Sequence, residues 1–238
     1  MYSKLNRYNN IVSKFESKSL NDFRDGFWLS TTTRFFMIEG LMYKYHLENV
    51  FHLENDNLTY ISFDDIHKYL KKYYSVPINK LCMVSDSAHR VIASIMYIPN
   101  AKCISELTDH IFNTMSKSNR FMNDMELLGS FPTDCYLKLP TDPSQGTIVF
   151  DGAAIGQYIG GCDQRNYHQG EEVSQLELFN SPTTGFINET SDLKCNEHYI
   201  CRLLLTRPKN SYMFAKNHKI YTIDDKYIAN LHIHSKQL

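Results

Sequence analysis

Between residues 30 and 117 the spacing of apolar residues alternates between the period of a helix and that of a strand. This alternation limits what the chain can fold into more than any other feature. Residues 30–46, STTTRFFMIEGLMYKYH, carry Phe35, Ile38, Leu41, Met42 and Tyr45 at three- and four-residue spacing, behind Ser30 or a neighbouring threonine able to cap a helix. Val50, Phe51 and Leu53 follow as a short apolar strand. Residues 62–74, SFDDIHKYLKKYY, predict a second helix with Ser62 as its cap and acids in its first turn. KLCMVSD and VIASIMYIP predict strands, and residues 101–117 a helix. Elements that alternate in this way bury helix stripes against a sheet. The expectation is an α/β fold with a mostly parallel sheet flanked by helices, in a single domain.

Outside this stretch the pattern is looser. Residues 1–27 are polar, with one strand-like fragment around Ile11 and Val12. Pro132, Pro140 and Pro143 punctuate the middle of the chain. Residues 146–163, GTIVFDGAAIGQYIGGCD, predict a strand, a polar junction at Asp151 and a short helix closed by Gly160 and Gly161. Residues 164–198 predict a loop with some strand.

Composition excludes several classes. The net charge of −1 gives no electrostatic reason to expect nucleic acid or an anionic membrane as partner. The longest apolar run, VIASIMYI, is far below the ~20 residues that cross a bilayer. The N-terminus has no apolar core of a signal peptide, and none of the six cysteines forms C-x-x-C or zinc-finger spacing. Reduced thiols and a cytoplasmic location are the expectation.

Three constellations bear on chemistry. The stretch VFHLENDN ends an apolar strand on Glu54, Asn55, Asp56 and Asn57. Such a cluster makes a turn cheaply. It also suits a cation site at the end of a sheet strand, because carboxylates two residues apart in extended chain can face one Mg²⁺ or Mn²⁺. In ANLHIHSKQ the strand period places Ala229, Leu231 and Ile233 on one face and His232, His234 and Lys236 on the other. Imidazoles suit a divalent metal and an ammonium suits phosphate, although a solvated basic face has the same pattern. In FDGAAIGQYIGG the small residues Gly152, Ala153, Ala154 and Gly156 let another group approach the backbone closely, and Gln157 follows one to two turns beyond Asp151. Asp151 is there either a helix cap or a polar group in a cleft. Arg34, in the first turn of its helix, makes a surface salt bridge or points into the same cleft. Asp124 and Glu126, in MNDMELLG, are expected to be solvated or to cap a helix.

In this order the segments TTTRFFMIEGLMYKYHLENVFHLENDNLTY, FDGAAIGQYIGG and NLHIHSK resemble glycosyltransferases of the GT-A fold, over about residues 28–163 and 228–238. The resemblance implies a Rossmann-related domain over residues 28–238, preceded by a polar segment at 1–27. It implies transfer of a sugar from a nucleotide-diphospho-sugar to a hydroxyl acceptor, with Mn²⁺ or Mg²⁺ bridging the diphosphate. Asp56 and His234, with His232 as second choice, are then the metal ligands. Glu54, Asn57, Arg34, Gln157 and Lys236 hold the donor, and Asp151 is the catalytic group nearest the anomeric carbon: the base that deprotonates the acceptor hydroxyl in an inverting enzyme, or a binder of donor or acceptor in a retaining one. The family's usual N-terminal nucleoside-binding βα unit has no counterpart in residues 1–27: it is either missing, supplied by a protein partner, or absent because the sequence is a fragment. The alternatives are a non-catalytic relative that binds sugar or nucleotide, and a metal-dependent phosphohydrolase.

Overall fold

The computed structural model describes residues 3–15, 27–75, 77–85, 91–141, 146–152, 214–216, 219–221 and 227–232. Helix α1 (Ser3–Val12) runs into a short 3₁₀ turn, Ser13–Phe15. Helix α2 (Phe27–Tyr45) is followed by strands β1 (Val50–Leu53) and β2 (Asn57–Thr59). Then come α3 (Phe63–Tyr74), β3 (Leu81–Ser85), β4 (Val91–Ile98), α4 (Ala101–Lys117) and α5 (Asp124–Gly129). Strands β5 (Tyr136–Lys138), β6 (Ile148–Phe150), β7 (Phe214–Lys216), β8 (Lys219–Tyr221) and β9 (Tyr227–His232) complete the described chain.

Local chemistry explains the boundaries of the helices. The Ser62 side chain accepts the Asp65 N–H at the start of α3, and Asn100 accepts the Cys103 N–H at the start of α4. At α5, Asn123 and Glu126 form a reciprocal capping box. Helix α3 ends on Ser75 in the left-handed conformation, φ 54°. The fragment around Ile11 and Val12 is helical, not a strand. Tyr8 and Val12 lie one turn apart on its inner face and are buried, which is the helical period.

Two sheets form. The first has the order β1-β4-β3-β5, and the second runs β2-β9-β8-β7, with β6 also paired to β9. Only β3 with β5 and β6 with β9 are parallel; β1–β4, β2–β9, β3–β4, β7–β8 and β8–β9 are antiparallel. The fold is α/β as expected, but the expectation of a mostly parallel sheet is corrected to mixed sheets. The cause is the connection between β3 and β4, which is too short to carry a crossover helix and so returns the chain antiparallel.

The first sheet is buried on both faces. Leu81 and Met83 of β3 pack with Phe35, Phe36, Leu107, Ile111 and Met115 of the helices, while Cys82 and Val84 face Ile66, Leu70, Ile148, Phe150 and Ala229. The central strand β4 is buried along its whole length, which explains its unbroken apolar run. Its pairing with β3 slips between Met83, opposite Met96, and Val84, opposite Ile92. The residues between, including Ser94, form a bulge.

Candidate metal centre

The bulge organises the site. The Ser94 carbonyl, one step past the Leu53–Ile95 pair of β1 and β4, accepts the Glu54 N–H at 3.1 Å and the Asn57 side-chain amide at 2.5 Å. The Ser94 hydroxyl donates to the Asp151 carbonyl at 3.1 Å. One residue thus joins the end of β1, the start of β2 and the end of β6, and this is the use to which bulges beside functional sites are put.

The acidic stretch is a tight turn closed by the Asn57 N–H on the Glu54 carbonyl at 3.1 Å. It carries the chain from the first sheet to the second, where Asn57 pairs with His232 across β2 and β9. The turn read from the sequence is therefore present, and the two carboxylates of the candidate cation site stand on it. His232 Nε2 lies 3.1 Å from Glu54 Oε2 and 3.1 Å from Asp56 Oδ1. The ligand atoms of Glu54, Asp56 and His232 all fall within 4.8 Å of one another. Asp56 is exposed, Glu54 is partly covered and His232 is buried, so the group opens to solvent through Asp56.

The donor set fits a divalent cation. His232 Nδ1 is 3.1 Å from the Gly152 carbonyl, which can only accept, so Nδ1 carries a proton and the Nε2 lone pair is the one available for ligation. Two carboxylates and an imidazole suit Mn²⁺ or Mg²⁺ better than a site with thiolates would. Without a cation, burial alone would lower the His232 pKa. The hydrogen bonds to Asp56 and Glu54 and their charges outweigh burial and hold it up at about 11. Burial would raise Glu54, but the His232 hydrogen bond and the Arg34 charge bring it down to about 2. Asp56 is lowered too: burial opposes, and the His232 hydrogen bond and charge prevail.

Arg34 reaches the same cluster from α2. Its Nη2 is 2.7 Å from Glu54 Oε1 and 2.8 Å from Asp124 Oδ2. Of its two sequence readings, the inward one describes its place. Asp124, expected to be solvated or capping, is buried at the start of α5, while its neighbour Glu126 does cap. Burial pushes the Asp124 carboxyl up to about 6, partly countered by Arg34. No local pattern distinguishes this acid, since its charged partner, Arg34, stands 90 residues earlier.

Behind the cluster lies a buried amide network. Asn230 donates to the Asn57 side chain at 2.8 Å and to the Asp151 carbonyl at 2.9 Å, and its own side-chain oxygen accepts the Asp151 N–H at 3.1 Å. Asn57 is thereby committed to the frame of the site. Asn230 was missed by sequence reasoning, although it shares the strand face of His232 two residues on. That face is not solvated: Asn230 and His232 are as buried as Ala229 and Leu231. Asp151 is 2% exposed, and its Oδ2 accepts the His232 backbone N–H at 3.0 Å. Gln157, His234 and Lys236 lie outside the described residues, as does the helix expected after Asp151.

Comparison of the chain with protein-family models, with curated proteins and with solved structures finds no match. Among the described residues no helix is long and apolar enough to cross a membrane.

Proposed function

We propose that this chain is a metal-dependent glycosyltransferase, which moves a sugar from a nucleotide-diphospho-sugar to a hydroxyl acceptor. One observation carries the reading. Carboxylates from the turn after β1 and an imidazole from the end of β9 come within 4.8 Å of one another, although they stand far apart in the sequence. A resemblance drawn from separate segments requires this meeting, and chance acidity in one turn does not produce it.

In this reading Glu54, Asp56 and His232 hold Mn²⁺ or Mg²⁺, which supplies a Lewis acid against the charge that develops on the departing diphosphate. Arg34 adds a cation beside Glu54 and keeps that carboxylate ionised and fixed in direction. Lys236 and Gln157 remain candidates for the donor's phosphates and sugar, and His234 for a further metal ligand.

The test is a thermal-shift series over nucleotide-diphospho-sugars with and without Mn²⁺. A donor at 100 times its dissociation constant adds ~2.7 kcal/mol of stability. Stabilisation is expected only when metal and donor are both present, and Asp56→Ala is expected to remove it while leaving the free protein folded with a lowered melting temperature, because Asp56 also helps hold His232 in its charged form. No donor giving a metal-dependent shift would end the transferase reading. Release of phosphate from phosphate monoesters would favour the phosphohydrolase instead.

A further inference from the structure

We infer that Asp151 is a positioning residue: with Gly152 it forms a clamp that sets the direction of the His232 ring, and it does not itself touch substrate. The inference rests on the metal reading above for its consequence, though not for its geometry. His232 is held at two points by consecutive residues at the end of β6. The Asp151 carboxylate takes its backbone N–H at 3.0 Å, and the Gly152 carbonyl takes its ring Nδ1–H at 3.1 Å. The first contact sets where the residue sits along β9, and so whether its ring meets the Gly152 carbonyl at all. The other sets how the ring is turned and which nitrogen is left for ligation. Together they leave Nε2 at 3.1 Å from both Glu54 and Asp56.

The surroundings of Asp151 agree with this role. A general base must reach the proton it removes within hydrogen-bond distance. The Asp151 carboxylate is covered, and its Oδ2 is engaged by main chain. Its partner in the clamp is equally constrained. A Cβ on Gly152 would stand 2.6 Å from Val84 Cγ1, so only glycine lets the chain lie close enough against β3 to present its carbonyl to His232. The main chain of Asp151 is tied separately, through the Asn230 side chain and the Ser94 hydroxyl. Removing the Asp151 side chain therefore deletes one arm of the clamp and leaves the strand end in place.

Two measurements on the full chain test this. Mn²⁺ affinity is read by electron paramagnetic resonance of free Mn²⁺. The ring Nδ1–H of His232 is read by ¹⁵N-resolved NMR of the metal-free protein, where a fixed ring protects that proton from exchange with water in either charge state. In Asp151→Ala the affinity is expected to fall ~10–100-fold, the usual range for residues that orient a ligand, and the Nδ1–H signal to vanish. Asp151→Asn keeps an oxygen in place and is expected to retain the signal and an affinity within a few-fold. Wild-type affinity together with an intact Nδ1–H signal in Asp151→Ala would overturn the inference. Asp151→Ser, too short to reach, carries the same two outcomes should the alanine variant fail to fold. If the wild-type protein binds no Mn²⁺, the metal reading fails, and the ring signal alone decides the clamp: its loss in Asp151→Ala supports it and its survival removes it.

Discussion

At the scale of single residues, His232 is where charge and burial compete most sharply. In the metal-free protein its pKa is held at about 11, far above the ordinary 6.5. A group raised on folding stabilises fully below its unfolded pKa, and the contribution drains away as pH rises toward the folded value. Glu54 runs the other way. Depressed from 4.5 to about 2, it contributes above pH 4.5 and is lost as pH falls toward 2. Both contributions are whole between pH 4.5 and 6.5. The expected outcome is a melting temperature, measured in EDTA, that declines for wild type from pH 6.5 toward 11 more than it does for His232→Gln. Parallel curves for the two proteins would show that the imidazole is not held in its charged form. The two acids were visible in the sequence as carboxylates two residues apart at a strand end, although the same stretch also read as a plain turn. Which histidine joins them was not legible. His232 and His234 share a strand face, and only the register of β9 against β2 places His232 beside the acidic turn.

At the scale of elements, Arg34 and Asp124 tie α2 to α5 and both to the end of β1. Removing the cation leaves two acids facing one another, one of them buried. Arg34→Met is expected to cost on the order of 3 kcal/mol at pH 8, the low end for stranding a buried charge, because about a fifth of the arginine side chain still meets water. The loss is expected to be smaller at pH 5, where Asp124, already raised to about 6, takes up a proton and needs no partner. Urea denaturation at the two pH values reads this out, and Arg34→Met/Asp124→Leu is expected to recover part of the loss. Equal costs at both values would mean that Asp124 is not the stranded charge. The helices themselves were readable from caps and spacing, since Ser62 and the apolar period mark α3 without help from the rest of the fold. The bulge in β4 was not. VIASIMYI reads as uninterrupted strand, and the slip arises only where β4 must serve β1 on one side and β3 on the other.

At the scale of the whole molecule, the polar N-terminal segment contributes to the core. Tyr8 is fully buried, with its ring 4.8 Å from that of Phe36. Lys4 bonds Glu39 of α2 at 2.8 Å and Asp109 of α4 at 2.7 Å. Helix α1 is thus held to two other helices by Tyr8 and Lys4, together with the Arg7 guanidinium over the Phe112 ring of α4 and with Leu5, Ile11 and Val12 packed on the same core. Tyr8→Ala is expected to cost ~3–5 kcal/mol, as for other large aromatic truncations in a core, measured by chemical denaturation. A cost below ~1 kcal/mol would make α1 a loose appendage.

The sequence by itself determined the elements and the kinds of chemistry they carry. Period, caps and strand ends are local properties, and so is the acidity of the turn after β1. Tertiary structure alone decided which of these groups meet. Sheet direction depended on the shortness of the β3–β4 connection acting through the pairing of both strands. The burial of Asp124, Asn230 and His232 depended on partners far away in the chain, Arg34, Asn57 and Asp151. A polar side chain signals its own donor and acceptor groups, but the free energy of burying it is set by a partner that packing must bring to it.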